Sequence, residues 1–442
     1  MEIETVSIEV IKPSQPTPSN HRSHQFSIFD QFIPHAHLSV PFFYSPPLLS
    51  HQPDLIIALI KSSLSKALTL FYPLAGRLKS DDSHIDCNDE GVKFVHARVR
   101  HCSLSQALSP PRPHQMMRQL FPIEHTIGGE LLGVQVSFFE CGGIAIGVYL
   151  SHKVADPRSL CTFVLSWASI AKSGSSVLKP IFDLASVFPP INELPPCPGD
   201  EPDIAVPDRR VIVDKVFRFE ASKIAALKAK AKAKVDEEDP TKMMAVAAFL
   251  WTIFAAMDGD GKKGNNSSSP RYCMISVPVY VRGKVASLEE HTMGNAAATP
   301  LTKPMAPPID LSAMPELVEA MRDVVRRVDE GGLVKRRDGG ELVKMMEAYI
   351  EASNKAYDSE GELGLYEASS WDFPFYDADF GWGRPGWVGV VNGAFANVVV
   401  CLDTKSGDGI DATVTLSEQD MAEFESMAEL LKYATPVHNA LD

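Results

Sequence analysis

The apolar residues of this 442-residue chain repeat with two periods, two residues and about 3.6, and each switch between them marks a change of element. Val6-Ser7-Ile8-Glu9-Val10-Ile11 alternates apolar with polar and predicts a strand, ended by Pro13, Pro16 and Pro18. Residues 54–71 carry Leu55, Ile56, Leu59, Ile60, Leu64, Ala67 and Leu68 at helical spacing, and the turn-bearing Tyr72-Pro73-Leu74-Ala75-Gly76-Arg77-Leu78 follows. Short alternating runs at 84–87 and 92–99 suit hairpin strands, and 132–139 with 142–150 predicts a further strand pair. The second of that pair is apolar throughout, so it should be buried. It runs into Ser151-His152-Lys153-Val154-Ala155-Asp156-Pro157, after which residues 158–168 return to helical spacing. His152 therefore stands where a strand stops and a helix begins. Asp156 and Pro157 suit that start: a carboxylate accepts the orphan N–H bonds, and proline at the first helical position has no N–H to waste.

Residues 179–207 are rich in proline and read as a long crossover between two halves of the chain. Beyond it the pattern predicts a strand at 211–219, a helix from 221 to about 235 with a solvated Lys-Ala face, and a helix at 241–257. That second helix is apolar nearly all round and should be buried. A Gly-, Asn- and Ser-rich loop covers 258–270, a strand 272–282, and helices 317–328 and 342–351. Strands at 387–391, 396–402 and 411–416 precede a closing helix at 418–432. Strands and helices mix without regular alternation, which indicates a mixed α/β or α+β fold with large sheets.

Composition narrows the function. Hydrophobic residues make up 45% of the chain, mean hydropathy is near zero, and the net charge is −14. That charge argues against nucleic acid or an anionic membrane as principal partner. Seven scattered cysteines show no CxxC and no metal-ligand spacing, so reduced core thiols and no metal site are expected. The opening Met1-Glu2-Ile3-Glu4 lacks a secretory pattern, and no apolar run approaches the ~20 residues of a membrane helix. A cytoplasmic location is expected.

A lone histidine at a strand end is ordinarily structural, and only a second constellation lifts His152 above that. Ser369-Ser370-Trp371-Asp372-Phe373-Pro374-Phe375-Tyr376-Asp377-Ala378-Asp379-Phe380-Gly381-Trp382-Gly383 packs aromatics and glycines around an Asp and predicts a rigid turn. Alone it too reads as architecture.

Together, His152-x-x-x-Asp156, Asp379-Phe380-Gly381-Trp382-Gly383, the Tyr72–Leu78 turn and Thr404-Lys405-Ser406-Gly407-Asp408-Gly409-Ile410 resemble the plant BAHD acyl-CoA-dependent acyltransferases, end to end and in order. The opening Ile11-Lys12-Pro13-Ser14 and the Ser370-Trp371 pair are most similar to the branch acting on alkaloids and alcohols. The resemblance implies two chloramphenicol-acetyltransferase-like domains, 1–180 and 211–442, joined by the 181–210 crossover, with a channel between them and His152 at its midpoint. It implies acyl-CoA, acetyl-CoA foremost, as co-substrate, a small hydroxylated acceptor, no bound cofactor and a monomer. N-acyl transfer to an amine, a non-catalytic ligand-binding relative and a thioesterase remain alternatives.

Within that family the roles would be these. His152, able to exchange protons near neutrality, takes the acceptor proton and returns one to the departing thiolate. Asp156 is either a partner that orients His152 or, better, a helix cap paired with Arg282. Trp371 is either an oxyanion donor or a core aromatic. Asp379, Gly381 and Gly383 are architectural. Ser370 and Asn295 are candidate acyl-CoA contacts, and Ala296, Ala297 and Ala298 could leave room for an acyl group. Thr292-Met293-Gly294-Asn295-Ala296 stands where malonyl-using members carry Tyr-Phe-Gly-Asn-Cys, which disfavours a malonyl donor. Pro157 replaces the usual Gly. Lys153 reads as a solvated charge, and Lys242 is not assigned to phosphate.

Overall fold

The structure, a computed structural model, describes residues 2–46, 53–79, 83–109, 117–122, 129–172, 177–192, 211–232, 238–259, 272–336, 339–357, 363–391 and 396–437. Residues 193–210, which hold most of the Pro-rich crossover, and 260–271 of the Gly/Ser-rich loop lie outside the described residues.

The first half runs β1 (Glu2–Ile11), β2 (His37–Tyr44), α1 (Pro53–Leu70), β3 (Val92–Arg100), β4 (Leu132–Phe139), β5 (Ile144–Ser151) and α2 (Pro157–Lys172). The second runs β6 (Ile212–Phe219), α3 (Ala221–Ala231), α4 (Lys242–Gly259), β7 (Tyr272–Ser276), β8 (Val279–Tyr280), β9 (Ala297–Ala298), α5 (Met314–Glu330) and α6 (Gly339–Tyr357). It continues through β10 (Leu363–Trp371), β11 (Trp387–Val388), β12 (Val398–Asp403), β13 (Ile410–Ser417), α7 (Glu418–Ser426), α8 (Ala428–Tyr433) and β14 (Thr435–Pro436).

Two six-stranded mixed sheets result. One has the order β1-β3-β4-β5-β2-β11, the other β7-β10-β12-β13-β6-β14. This is the two-sheet mixed α/β architecture expected. All eight residues of β5 are buried, because it lies between β4 and β2 under α1 and α2; a continuous apolar run suits such a strand. Helix α4 is buried on every side in the second core, from Ala245 to Ala255, which explains why it carries no polar face. The two sheets meet through Trp371, Val398, Val400 and Leu402, whose side chains join the core of the first half.

Several elements differ from the sequence reading. Strand β2 was not expected, because Pro41 interrupts it. Pro41 O accepts from Gly389 N, so its missing donor faces the two-residue strand β11 and not the central β5. Strand β10 occupies residues read as turn and upstream loop, so Ser369, Ser370 and Trp371 lie on a strand and the turn begins after them. The expected strand 272–282 is two, divided around Val277-Pro278. The closing helix breaks at Met427. No helix among the described residues is long and apolar enough to cross a membrane.

Candidate active site

Strand β5 delivers His152 into the turn before α2. The His152 amide donates to Ala36 O at 2.8 Å, which ties the turn to the segment entering β2. Asp156 caps α2: its Oδ1 accepts from Ser159 N at 2.9 Å, and its carbonyl accepts from Leu160 N. Among the described residues the carboxylate makes no hydrogen bond to His152 and is held by the second half of the chain. Arg282 grips it with Nη1 at 2.6 Å and Nη2 at 3.1 Å, and Ala296 N adds a third donor at 3.0 Å. Both side chains are buried. Arg282 also donates from Nε to Thr292 O and from Nη2 to Gly294 O and Ser159 Oγ, so each of its three nitrogens is hydrogen-bonded. One bidentate pair thus clamps the start of α2 to the turn after β8.

That clamp places Asn295. Its Oδ1 meets His152 Nδ1 at 3.0 Å, while its Nδ2 donates to His152 O at 2.8 Å and to Asp30 Oδ1 at 2.9 Å. Two pure acceptors around Nδ2 fix the amide orientation, so Oδ1 must accept and the ring proton belongs on Nδ1. Nε2 is then left with its lone pair. Asp30, itself in a capping box with Ser27, also accepts Asn295 N at 2.7 Å. Burial pushes the His152 pKa below the ordinary imidazole value, against smaller opposing pulls from its own backbone and Asp156. The ring is thereby neutral at neutral pH. The residue is half-buried and keeps some accessible surface, as do Tyr280 and Glu367.

The other sequence candidates divide. Asn295, expected on acyl-CoA, instead has its side-chain amide committed to His152 and Asp30. Lys153 is not solvated: it is buried and donates to Gln31 O at 3.1 Å. Ala296 and Ala298 are packed in a core with Val279 and Val281, and only Ala297 keeps accessible surface. Trp371 is buried, and its indole N–H donates to Ser369 Oγ at 3.2 Å. Strand alternation turns Ser370 to the opposite face, so Ser369 is the serine beside Trp371. Lys242 pairs with Asp403 at 2.7 Å and donates to Gly407 O.

Asp379 belongs to a separate knot. Its Oδ1 accepts from Gly381 N and Gly383 N, both at 2.9 Å, and its Oδ2 from Lys172 Nζ at 2.6 Å. Burial works to raise its pKa, but those donors outweigh it and hold the carboxyl low. Gly381 and Gly383 take φ near +112° and +111°, which favours glycine. Phe380 meets Trp167 edge-on, so the knot braces α2 from its far end. A cleft of about 770 Å³ lies elsewhere, between Ser45, Trp387 and the Thr404–Gly409 turn, and none of the His152 residues lines it. Among the described residues no three His, Cys, Asp or Glu side chains form a metal-holding group.

Comparison with known proteins decides the family. The model of the Transferase family matches residues 1–431. The chain belongs to that family, the BAHD acyltransferases. Vinorine synthase of Rauvolfia serpentina is 34% identical over 432 residues, 95% of this chain and 96% of that one. The crystal structure of vinorine synthase superposes with a TM-score of 0.82 at 32% identity, covering 100% of both chains. Limonoid 7-O-acetyltransferase of Citrus sinensis is 34% identical over 470 residues, 98% of each chain. The 17,18-epoxy-17-hydroxycur-19-ene N-malonyltransferase of Strychnos nux-vomica is 32% identical over 456 residues, 99% of this chain and 92% of that one. The enzyme is accordingly an acyltransferase of plant specialised metabolism, and BAHD members draw the acyl group from CoA.

Proposed function

We propose that this enzyme transfers an acyl group, acetyl foremost, from a CoA thioester to a hydroxyl of a small specialised metabolite, with His152 as general base. The observation that carries the reading is the Asn295–His152 bond. By holding the proton on Nδ1 it leaves Nε2 as an acceptor in a neutral ring. The hydroxyl proton passes to Nε2 as the oxygen bonds to the thioester carbonyl carbon. Collapse of the tetrahedral adduct breaks the C–S bond, and the imidazolium returns its proton to the thiolate. Such proton transfer typically contributes about 10²–10⁴-fold. Trp371 is the proposed oxyanion donor, its N–H exchanging Ser369 Oγ for the developing charge.

Three buried thiols support direct transfer without an acyl-enzyme. Burial drives the pKa values of Cys87, Cys161 and Cys401 up to about 12, so none is a thiolate at neutral pH. Buried free thiols support a reducing, cytoplasmic compartment; the monomer is what family likeness implies, and fractionation and light scattering test the two.

The N-malonyltransferase relative keeps N-acylation and a malonyl donor as the second reading. Acetyl-, hexanoyl-, benzoyl- and malonyl-CoA supplied with panels of alcohols and amines, read by product mass and thiol release, separate them. An ester formed with acceptor-dependent thiol release is expected. Amide products alone would replace O- with N-transfer, acceptor-independent thiol release would mark a thioesterase, and no release with any pair would mark a non-catalytic relative.

A further inference from the structure

The sheet face that the second half turns toward the first carries a carboxylate that the mechanism does not use. Along β10, Tyr366 and Ala368 point into the second core, whereas Trp371 points the other way into the first. Alternation puts Glu367 and Ser369 on the Trp371 side. Glu367 Oε2 accepts from Tyr349 OH of α6 at 3.2 Å, and among the described residues no cationic side chain pairs with it. Burial pushes its pKa up, the sign of a carboxylate short of compensation. It is half-buried and keeps accessible surface.

A second, independent feature lies beside it. Ser276 on β7 is the direct register partner of Glu367, so the two side chains share a face. Ser276 is fully buried, and its Oγ has no hydrogen-bond partner among the described residues. An orphaned hydroxyl next to an uncompensated carboxylate is costly twice over unless something polar binds there. The position connects to the reaction centre. Ser369, about 7 Å along the strand, receives the Trp371 N–H and lies beside Tyr280, whose backbone pairs with Ala297, two residues from Asn295.

We propose that Glu367, with Ser276 and Tyr349, forms an acceptor subsite for a protonated amine, which makes the enzyme selective for hydroxylated acceptors that carry a basic nitrogen. A CoA donor does not suit the place: its phosphates are anionic and its pantetheine neutral, so neither offsets a buried carboxylate. An ammonium does, donating an N–H to Glu367 while its charge offsets the carboxylate beside Ser276. The proposal rests on the acyltransferase reading for the identity of the acceptor, but binding itself tests it separately.

The experiment compares 4-(dimethylaminomethyl)benzyl alcohol with its neutral isostere 4-isobutylbenzyl alcohol, by calorimetric titration into the wild-type enzyme and by acetyl transfer. Wild type is expected to bind the amine about tenfold or more tightly than the isostere. Glu367→Gln should abolish that preference, and Glu367→Asp should keep part of it, which guards against a variant that merely fails to fold. Equal or absent binding of the two by wild type, or an undiminished preference in a folded Glu367→Gln enzyme, overturns the subsite. Amine-selective binding with no transfer to either alcohol leaves the subsite standing and sinks the O-acyltransferase reading instead.

Discussion

Asn295 accepts the Nδ1 proton of His152 across 3.0 Å while holding the same residue's carbonyl through Nδ2. The ring is thus fixed in tautomer and tilt by a neutral amide, not by a carboxylate. Asn295→Ala should lower kcat by about 10- to 100-fold through misorientation of the base, with a smaller change in acyl-CoA KM. Steady-state kinetics with both substrates varied checks the split; a KM effect alone would return Asn295 to a binding role.

The pH profile follows from the buried ring. Its pKa is depressed, so kcat/KM should rise along an acid limb centred below the ordinary imidazole value of about 6.5 and be level by neutral pH. Stability follows the same ring. The unfolded state takes a proton first as pH falls, so stability declines once pH drops through about 6.5 and stops declining below the folded pKa. A His152→Gln enzyme should lose that increment of acid sensitivity, read by chemical denaturation at pH 7.5 and pH 5.5, together with most of its turnover.

Breaking the clamp should damage folding and activity at once. Asp156→Ala leaves the Arg282 guanidinium buried without its anion, a loss of about 3–5 kcal/mol. The double variant Asp156→Ala with Arg282→Met should be less damaged than the single, because it removes the stranded charge. Denaturant melts of the two singles and the double measure that coupling.

In the Asp379 knot the two backbone amides should outweigh the lysine. Lys172→Ala removes a half-exposed ion pair and should shift stability by no more than about 1 kcal/mol. Asp379→Ala removes the charge-assisted hydrogen bonds from Gly381 N and Gly383 N that hold the turn and should cost about 1.5–3 kcal/mol, with kcat/KM for donor and acceptor falling in parallel. Thermal melts of the two variants rank them.

What the sequence made legible was whatever has a local signature. The buried β5 run, the Asp156-Pro157 helix start and the all-apolar α4 each announce themselves within a dozen residues. The partners of the site do not. Asn295 lies 143 positions from His152, and no spacing in the chain brings it there; only the Asp156–Arg282 clamp does. Lys153 looked solvated because a charge in a turn usually is, yet a carbonyl at Gln31 receives it. Glu367 and the serines interrupt the apolar pattern of β10, which hid the strand and the polar face it presents.

Strand β11 comes from the second half of the chain but closes the first sheet, pairing Trp387 with Phe43 and stacking the two rings 5.4 Å apart. The two halves are therefore laced together, and neither is a free-standing module. On the ribosome, the sheet that holds the histidine strand stays open on one flank until residue 388 has emerged. A fragment stopping short of it should expose the bare edge of β2 and aggregate, whereas the same fragment supplied with the remainder as a second polypeptide has its missing strand restored.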